Sequence, residues 1–376
     1  MHTTHDIRSI AEHFPSCGEF QGTVPWGKGH INDTYCAEFN RLGASVRFIF
    51  QRVNRNVFRN PVALMENVER VTAHLASKLN GHPDAGRRAL RLVRTGSGCA
   101  WHVDDAGNHW RVYPFITAAS TYDSVRTPEQ AFQAAKAFGH FQKMLADLPS
   151  PRLHDTIPDF HHTPKRLAAL ENAIEADAVN RAHLCREEIQ FAFARKSIVG
   201  RLLEAQLPER VTHNDTKLNN VMLDDVTGEG ICVLDLDTVM PGVALYYFGD
   251  MVRTATSPAA EDERDLSKVT MRFPMFEALV RGYLGAAGDF LTPDEARWLA
   301  FSGKLITFET GLRFLTDFLA GDGYFKTHRE FHNLDRCRTQ FRLVESIELQ
   351  EKAMRQLVEE IGRGRRGAFD SPRPVH

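Results

Sequence analysis

The sequence predicts an α+β protein of two lobes, a small antiparallel-sheet lobe over residues 1–116 and a larger, mainly helical lobe over 117–376. Three observations lead there. The first third carries strand-like runs, Tyr35-Cys-Ala-Glu-Phe39 and Val46-Arg-Phe-Ile-Phe-Gln-Arg-Val53, rich in alternating, β-branched and aromatic residues. After Pro114-Phe-Ile116 the texture changes to long segments with a 3.6-residue apolar period. A chain of 376 residues with 43% hydrophobic composition also exceeds what one compact core usually holds.

Taken in order, Arg41-Leu-Gly-Ala-Ser45 reads as the hairpin between the two strands. Pro61–Leu79 reads as a helix: proline suits its first turn, and Val62, Met65, Val68, Thr72 and Leu75 keep the helical period. Short strands are expected around Leu90–Arg94 and Trp110–Ile116, separated by Gly96, Gly98 and Asp104-Asp-Ala-Gly-Asn108. Helices are expected over Pro128–Leu148, Thr163–Ala178 and Glu187–Ala205, and almost continuously from Ser267, ending in one long helix through Phe341–Ile361 and a basic, frayed tail.

The bulk properties exclude several classes. A net charge of -2 and a pI near 6.8 give no drive toward nucleic acid or an anionic membrane. Six cysteines without a CxxC pair point to neither a disulfide framework nor a cysteine zinc site, and fit a reducing cytoplasm. The N-terminal residues lack the apolar core of a signal peptide, and no stretch approaches 18 uncharged apolar residues. Oligomeric state is not readable.

The chemistry concentrates in Val211-Thr-His-Asn-Asp-Thr-Lys-Leu-Asn-Asn-Val-Met-Leu223 and Ile231-Cys-Val-Leu-Asp-Leu-Asp237. Asp215 sits where an apolar run turns polar, so a loop would present it to an acceptor hydroxyl as orienting group and base. Asn220, five residues on, offers a neutral amide oxygen to Mg2+, and Asp235, closing a four-residue apolar run, offers a hard anionic ligand. Singly, such residues cap turns. Together, in this order, they describe a Mg-dependent phosphoryl transfer to a hydroxyl. Lys217 would stabilise charge on the transferred group, and His213 is expected to be structural, bonded to backbone beside the metal loop.

These residues resemble the aminoglycoside phosphotransferase and choline kinase superfamily, with its bilobal protein-kinase-like fold. The pattern H-x-D-x-x-x-x-N followed by a strand ending in Asp reads here as His213-Asn-Asp215-Thr-Lys-Leu-Asn-Asn220 and Leu234-Asp235. The resemblance implies Asp215 as catalytic base and Asn220 and Asp235 as Mg2+ ligands. Asp237 stands where some members carry a further acidic residue near a second metal or the substrate. Gly27-Lys-Gly-His-Ile-Asn-Asp-Thr-Tyr35, Gln51-Arg-Val-Asn54, Phe138-Gly-His-Phe-Gln142, Asp159-Phe-His161, Phe248-Gly-Asp250-Met-Val-Arg253 and Glu309-Thr-Gly-Leu-Arg313 are similar to the N-acetylhexosamine 1-kinase branch.

For the nucleotide, ATP with GTP left open, Gly27 and Gly29 would let backbone N–H groups approach phosphate, with Asn32 and Thr34 adding contacts. Arg52 occupies the place of the phosphate-binding lysine expected on the third strand of this fold, with Glu66 or Glu69 as its partner. Tyr113 and Phe115 line the segment suited to the adenine edge, although Pro114 removes one donor. On the acceptor side, Glu309, Arg313 and Asp317 share a helix face. Arg313 and Tyr324 would donate to sugar oxygens, and Asp250 would accept from substrate hydroxyls or brace the metal loop. The expected function is an ATP- and Mg-dependent kinase of a small hydroxyl acceptor, foremost the anomeric hydroxyl of an N-acetylhexosamine. An aminoglycoside, amino alcohol or other sugar is the alternative acceptor, and a non-catalytic nucleotide-binding scaffold the alternative class.

Overall fold

Apolar alternation and helix caps divide the chain as its two textures suggest. The computed structural model describes residues 5–27 and 31–369. In the small lobe, helix α1 (Ile7–Ala11), capped by the Asp6 carboxylate, lies against a five-stranded antiparallel sheet ordered β1-β2-β3-β5-β4. Its strands are β1 (Glu19–Pro25), β2 (Asp33–Arg41), β3 (Ala44–Arg52), β4 (His102–Val103) and β5 (His109–Pro114). Phe48, Phe50, Trp110 and Val112 point to one core with Ile7, Ile10 and Phe14. The period of two therefore turns Ile49, Gln51, Arg111 and Tyr113 to the opposite, cleft-facing side. The β2–β3 hairpin turns at Leu42-Gly43, both with positive φ (53° and 85°), and the Asn40 side chain accepts from Gly43 N–H at 2.9 Å.

Helix α2 (Pro61–Lys78) starts from an Asn60 cap and buries Leu64, Met65, Val68 and Val71 in a core shared with the large lobe. Its buried Asn67 ties the lobes: Nδ2 donates to the carbonyls of His154 (2.8 Å) and Val239 (3.2 Å), and Oδ1 accepts from His154 N–H (2.9 Å). A short helix α3 (Ala85–Arg88) sends Arg87 to the carbonyls of Thr117 and Ala118 and to Asp224, stapling the connection between lobes.

The large lobe opens with β6 (Ala119–Ser120) and contains helices α4 (Pro128–Met144), α5 (Thr163–Ala176), α6 (Arg186–Ala194) and α7 (Arg201–Glu204). Strands β7 (Arg210–Thr212), β8 (Val221–Asp224), β9 (Gly230–Val233) and β10 (Met240–Gly242) follow. They form a β6-β8-β9 sheet and a β7-β10 ribbon. Helices α8 (Ala244–Ala255), α9 (Phe273–Ala287), α10 (Pro293–Leu319) and α11 (His332–Phe369) complete it. A second core joins α5, α10 and α11 through Leu167, Leu170, Phe308, Phe318 and Phe341. No helix among the described residues is long and apolar enough to cross a membrane.

Two expectations are corrected. Leu90–Arg94 runs extended but joins no ladder; a single Val93 N–H to Val112 carbonyl bond (2.9 Å) ties it to the sheet, and its apolar residues pack on both lobes' cores. The helix expected over Glu187–Ala205 breaks after Ala194, where Arg195 leaves the helical register, stacks on Phe191 and pairs with Glu348 on α11 at 2.7 Å. Gly200 then begins the separate turn of α7.

The helix that backs the functional loops owes its position to missing side chains. A Cβ on Gly249 of α8 would lie 2.5 Å from the Ser302 carbonyl oxygen of α10, and one on Gly303 would lie 2.6 Å from Val252 Cγ1. Gly249→Ala is expected to destabilise the protein by about 1–3 kcal/mol through overpacking. A chemical denaturation midpoint equal to the parent's would contradict this close approach.

Candidate active site

Two loops are tied together at both ends. The loop 213–220 runs from β7 to β8, and the loop 234–239 from β9 to β10; β7 pairs with β10 (Thr212 with Met240) and β8 with β9 (Val221 with Val233). Between these ladders the loops bond directly. Leu234 N–H donates to the Asn220 carbonyl at 2.8 Å, His213 Nε2 donates to the Leu234 carbonyl at 2.6 Å, and Asn214 Nδ2 donates to the Thr238 carbonyl at 3.0 Å. The Thr238 hydroxyl returns a bond to the His213 carbonyl. His213 is fully buried, edge-on to Phe138 and Phe141, and burial pulls its pKa down, so it is a neutral strut.

Asn214 and Asp235 both adopt left-handed backbone conformations (φ 60° and 55°), which non-glycine residues hold only where the surroundings dictate it. One precedes the candidate base and the other is the candidate metal ligand. The Asp215 carboxylate meets Lys217 Nζ at 3.0 Å and Asn220 Nδ2 at 3.1 Å, and Asn220 Nδ2 also reaches the Asp215 carbonyl at 2.8 Å. The Asn220 amide oxygen is thereby turned away from Asp215. Asp215 in turn raises the pKa of Lys217, keeping it charged.

Asp235 projects from the cleft floor, and no hydrogen bond or ion pair from the described residues reaches its carboxylate. The side chain is open on the cleft side but walled by protein elsewhere. This desolvation pushes its pKa up to about 7, with Asp237 and Asp215 acting in the same direction. A carboxylate so placed calls for a cation. No cluster of three or more His, Cys, Asp or Glu among the described residues forms a complete metal cage. The pair of hard oxygens from Asn220 and Asp235 suits Mg2+, which normally takes its remaining ligands from phosphate and water.

The loop is braced from below. Asp250 is buried, with one oxygen accepting from Thr216 N–H (2.9 Å) and the other from Arg253 Nε (2.8 Å). This geometry is that of the brace, one of its two expected roles.

On the nucleotide side, Arg52 departs from expectation. It lies on the Phe50 face of β3, away from the cleft, where Nε donates to Asp33 at 2.8 Å and Nη1 to Asn108 at 3.3 Å. Neither Glu66 nor Glu69 meets it: Glu66 bonds His154 at 2.7 Å and Glu69 pairs with Arg94. The alternation of β3 brings Gln51 to the cleft instead, bonded to the Thr34 hydroxyl at 3.1 Å and to Arg111 Nε at 3.1 Å. Buried Arg111 pairs with Asp237, whose other oxygen accepts from Asn32 Nδ2 at 2.6 Å. Gly27 has a positive φ of 78° and open space around its Cα, whereas Gly29 lies outside the described residues. At the connection between lobes, Phe115 sits edge-on to Trp26 (5.4 Å) under the Arg47 guanidinium (3.9 Å). Its N–H is taken by the Arg47 carbonyl at 3.0 Å. Tyr113 is buried behind it, its hydroxyl without a hydrogen-bond partner among the described residues.

On the acceptor side, the face of α10 is not an ion ladder. Glu309 is buried and engaged by His161 Nδ1 (2.9 Å) and the Thr163 hydroxyl (2.6 Å). Asp317 accepts from the N–H groups of Tyr324 (2.8 Å) and Phe325 (2.9 Å) and from Asn333 (2.9 Å). Arg313 has no ion pair among the described residues and lies amid the rings of Phe160, Tyr324 and Phe325 at 5.3, 6.0 and 5.5 Å. His161 also reaches the Asn214 carbonyl at 3.4 Å, joining this wall to the residue before Asp215. Sequence reasoning missed Gln51 and Arg111; the signal was the strand period, which sends Gln51, not Arg52, opposite Arg111.

Asp235→Asn is expected to weaken Mn2+ binding in the presence of ADP by about tenfold or more, read from the free-ion electron paramagnetic resonance signal. Unchanged affinity would remove Asp235 from the metal set.

Known proteins share this fold. A microcompartment-associated aminopropanol kinase superposes with a TM-score of 0.59 at 16% identity, covering 92% of this chain and 98% of its own. A spectinomycin phosphotransferase in complex with ADP and spectinomycin gives 0.57 at 11% identity, with 92% and 97% covered. An aminoglycoside phosphotransferase from Alicyclobacillus acidocaldarius gives 0.57 at 12%, with 92% and 95% covered. At these identities the likeness shows the fold. Residues 23–299 match the model of the phosphotransferase enzyme family; that span holds most of the chain, including loops 213–220 and 234–239, and the chain belongs to this family of ATP-dependent phosphotransferases.

Proposed function

We propose that the protein transfers the γ-phosphoryl group of ATP to the anomeric hydroxyl of an N-acetylhexosamine, giving the 1-phosphate. The observation that carries the acceptor class is Arg313: a cation that makes no ion pair with a carboxylate among the described residues, set among three aromatic rings. The carboxylates along its helix, Glu309 and Asp317, are already engaged. Arg166 nearby adds a second positive charge, its pKa lowered by burial and by Arg313. Such a wall suits a neutral polyol with an acyl oxygen and ring faces, and opposes an acceptor carrying its own ammonium group.

In this reading Asp215 accepts the hydrogen bond of the acceptor hydroxyl, fixes its direction of attack and takes its proton as the bond to phosphorus forms. Lys217, held by Asp215, offsets charge on the transferred group. Asn220 and Asp235 would hold Mg2+, which when bound neutralises phosphate charge. A second reading, an amino alcohol or aminoglycoside acceptor, takes support from the aminopropanol kinase and spectinomycin phosphotransferase that share the fold. A non-catalytic scaffold would have no need of Asp215, Asn220 and Asp235 together in one cleft.

ADP release screened across N-acetylhexosamines, other sugars, amino alcohols and aminoglycosides decides the acceptor, and 31P NMR identifies the ester. Turnover with amino alcohols alone would overturn the sugar reading. Asp215→Ala should lower turnover by about 10²–10⁴-fold while Mg·ADP affinity, measured by calorimetry, stays near the parent's. Arg313→Met should raise the acceptor KM by roughly 10–100-fold, the loss of a hydrogen bond to a charged group, with the KM for ATP unmoved; an unmoved acceptor KM would take Arg313 out of the site.

A further inference from the structure

The cation facing the nucleotide side of the cleft has moved from the third strand to the fifth. Arg52 faces Asp33 and Asn108 on the far side of the sheet. On the cleft side stands Gln51, and opposite it in the β3–β5 register is Arg111. Arg111 is fully buried; it donates from Nε to Gln51 Oε1 and pairs through Nη1 with Asp237. Asp237 belongs to the large lobe, where its backbone carbonyl accepts from the Thr156 hydroxyl at 2.9 Å. Its carboxylate is held wholly from the small lobe, one oxygen by Arg111 and the other by Asn32 Nδ2. Asn32 in turn accepts Asn54 N–H at 3.0 Å through its Oδ1, so the amide cannot flip without losing both bonds.

We propose that Arg111 and Asn32 are positioning residues that act through Asp237, latching the nucleotide loop and the cleft face of the small-lobe sheet onto the strand end that carries Asp235. Asp237 is then an interlobe tether and not a ligand to a second metal. One residue, Leu236, separates it from Asp235, and the left-handed Asp235 runs directly into a single 3-10 turn over Leu236–Thr238 that couples the two positions. Fixing Asp237 therefore fixes where the Asp235 carboxylate points, and Asn32 ties the start of β2 to the same turn. The inference rests on the nucleotide reading proposed above for its ligand, though not for its geometry.

The test uses the full chain. Asn32→Ala removes one arm at a partly exposed position, where folding is not at stake. It should weaken Mg·ADP binding and raise the KM for Mg·ATP by about tenfold, leave the acceptor KM unchanged, and speed amide exchange in 33–41 and 235–242 of the nucleotide-free protein. Arg111→Met and Asp237→Asn each strand a buried charge and should lower thermal stability strongly, whereas the double variant should recover much of it. The double variant should not recover Mg·ADP affinity, a split that a merely structural ion pair would not produce. Parental exchange rates and parental Mg·ADP affinity in Asn32→Ala would overturn the latch, as would full recovery of affinity in the double variant. If the parent itself fails to bind Mg·ADP, the nucleotide reading falls, and the exchange comparison, which needs no nucleotide, still decides the latch.

Discussion

The site depends on one constraint: two irregular loops are held side by side because each begins and ends in a strand paired with the other's. Ladders between β7 and β10 and between β8 and β9 bracket the loops, and the Leu234 to Asn220 and His213 to Leu234 bonds close the gap between them. Without this frame, the left-handed conformations at Asn214 and Asp235 would cost about 1–3 kcal/mol each and relax. With it, the Asp215 carboxylate, the Asn220 amide oxygen and the lone Asp235 carboxylate converge on one cleft. The burial of His213 follows from the same demand, since a solvated imidazole could not hold the Leu234 carbonyl in place.

Charge follows from that convergence. Asp237 and Asp215 are close enough to raise the proton affinity of Asp235, and each of the three carboxylates is handled differently. Asp215 is paired with Lys217 and Asp237 with Arg111, while Asp235 makes no ion pair among the described residues. The asymmetry separates the roles: the residue left without a cation is the one a metal ion would complete. It also accounts for Asp250 and Arg253 lying beneath the loop, where a carboxylate can order Thr216 while its charge is spent on an adjacent guanidinium.

Sequence was most informative where a local rule decides the outcome. Proline and the Asn60 cap set the start of α2, positive-φ residues set the β2–β3 turn, and the spacing from Asp215 to Asn220 put both side chains in one loop. It was least informative where long-range contacts decide. Leu90–Arg94 has strand composition because it packs between two cores, not because it pairs, and the break after Ala194 depends on Glu348, far along the chain. Arg52 shows the limit most clearly. Its residue type and approximate place suit phosphate, but strand alternation is exact, and a one-residue difference in register sends it to the other face.

The same reasoning separates the reaction from the acceptor. The two loops are fixed by backbone ladders between β7 and β10 and between β8 and β9, which constrain them independently of any acceptor. The acceptor wall hangs on α10, a different element, joined to the catalytic loop through His161 and Glu309. That strut fixes the distance between α10 and Asp215, and in the proposed reading the side chains one turn farther along α10 would decide what is recognised. In the proposed reading Arg313 occupies that turn, and because ring faces meet its charge and no carboxylate among the described residues pairs with it, the wall would select by oxygen acceptors and ring surface while opposing ammonium groups.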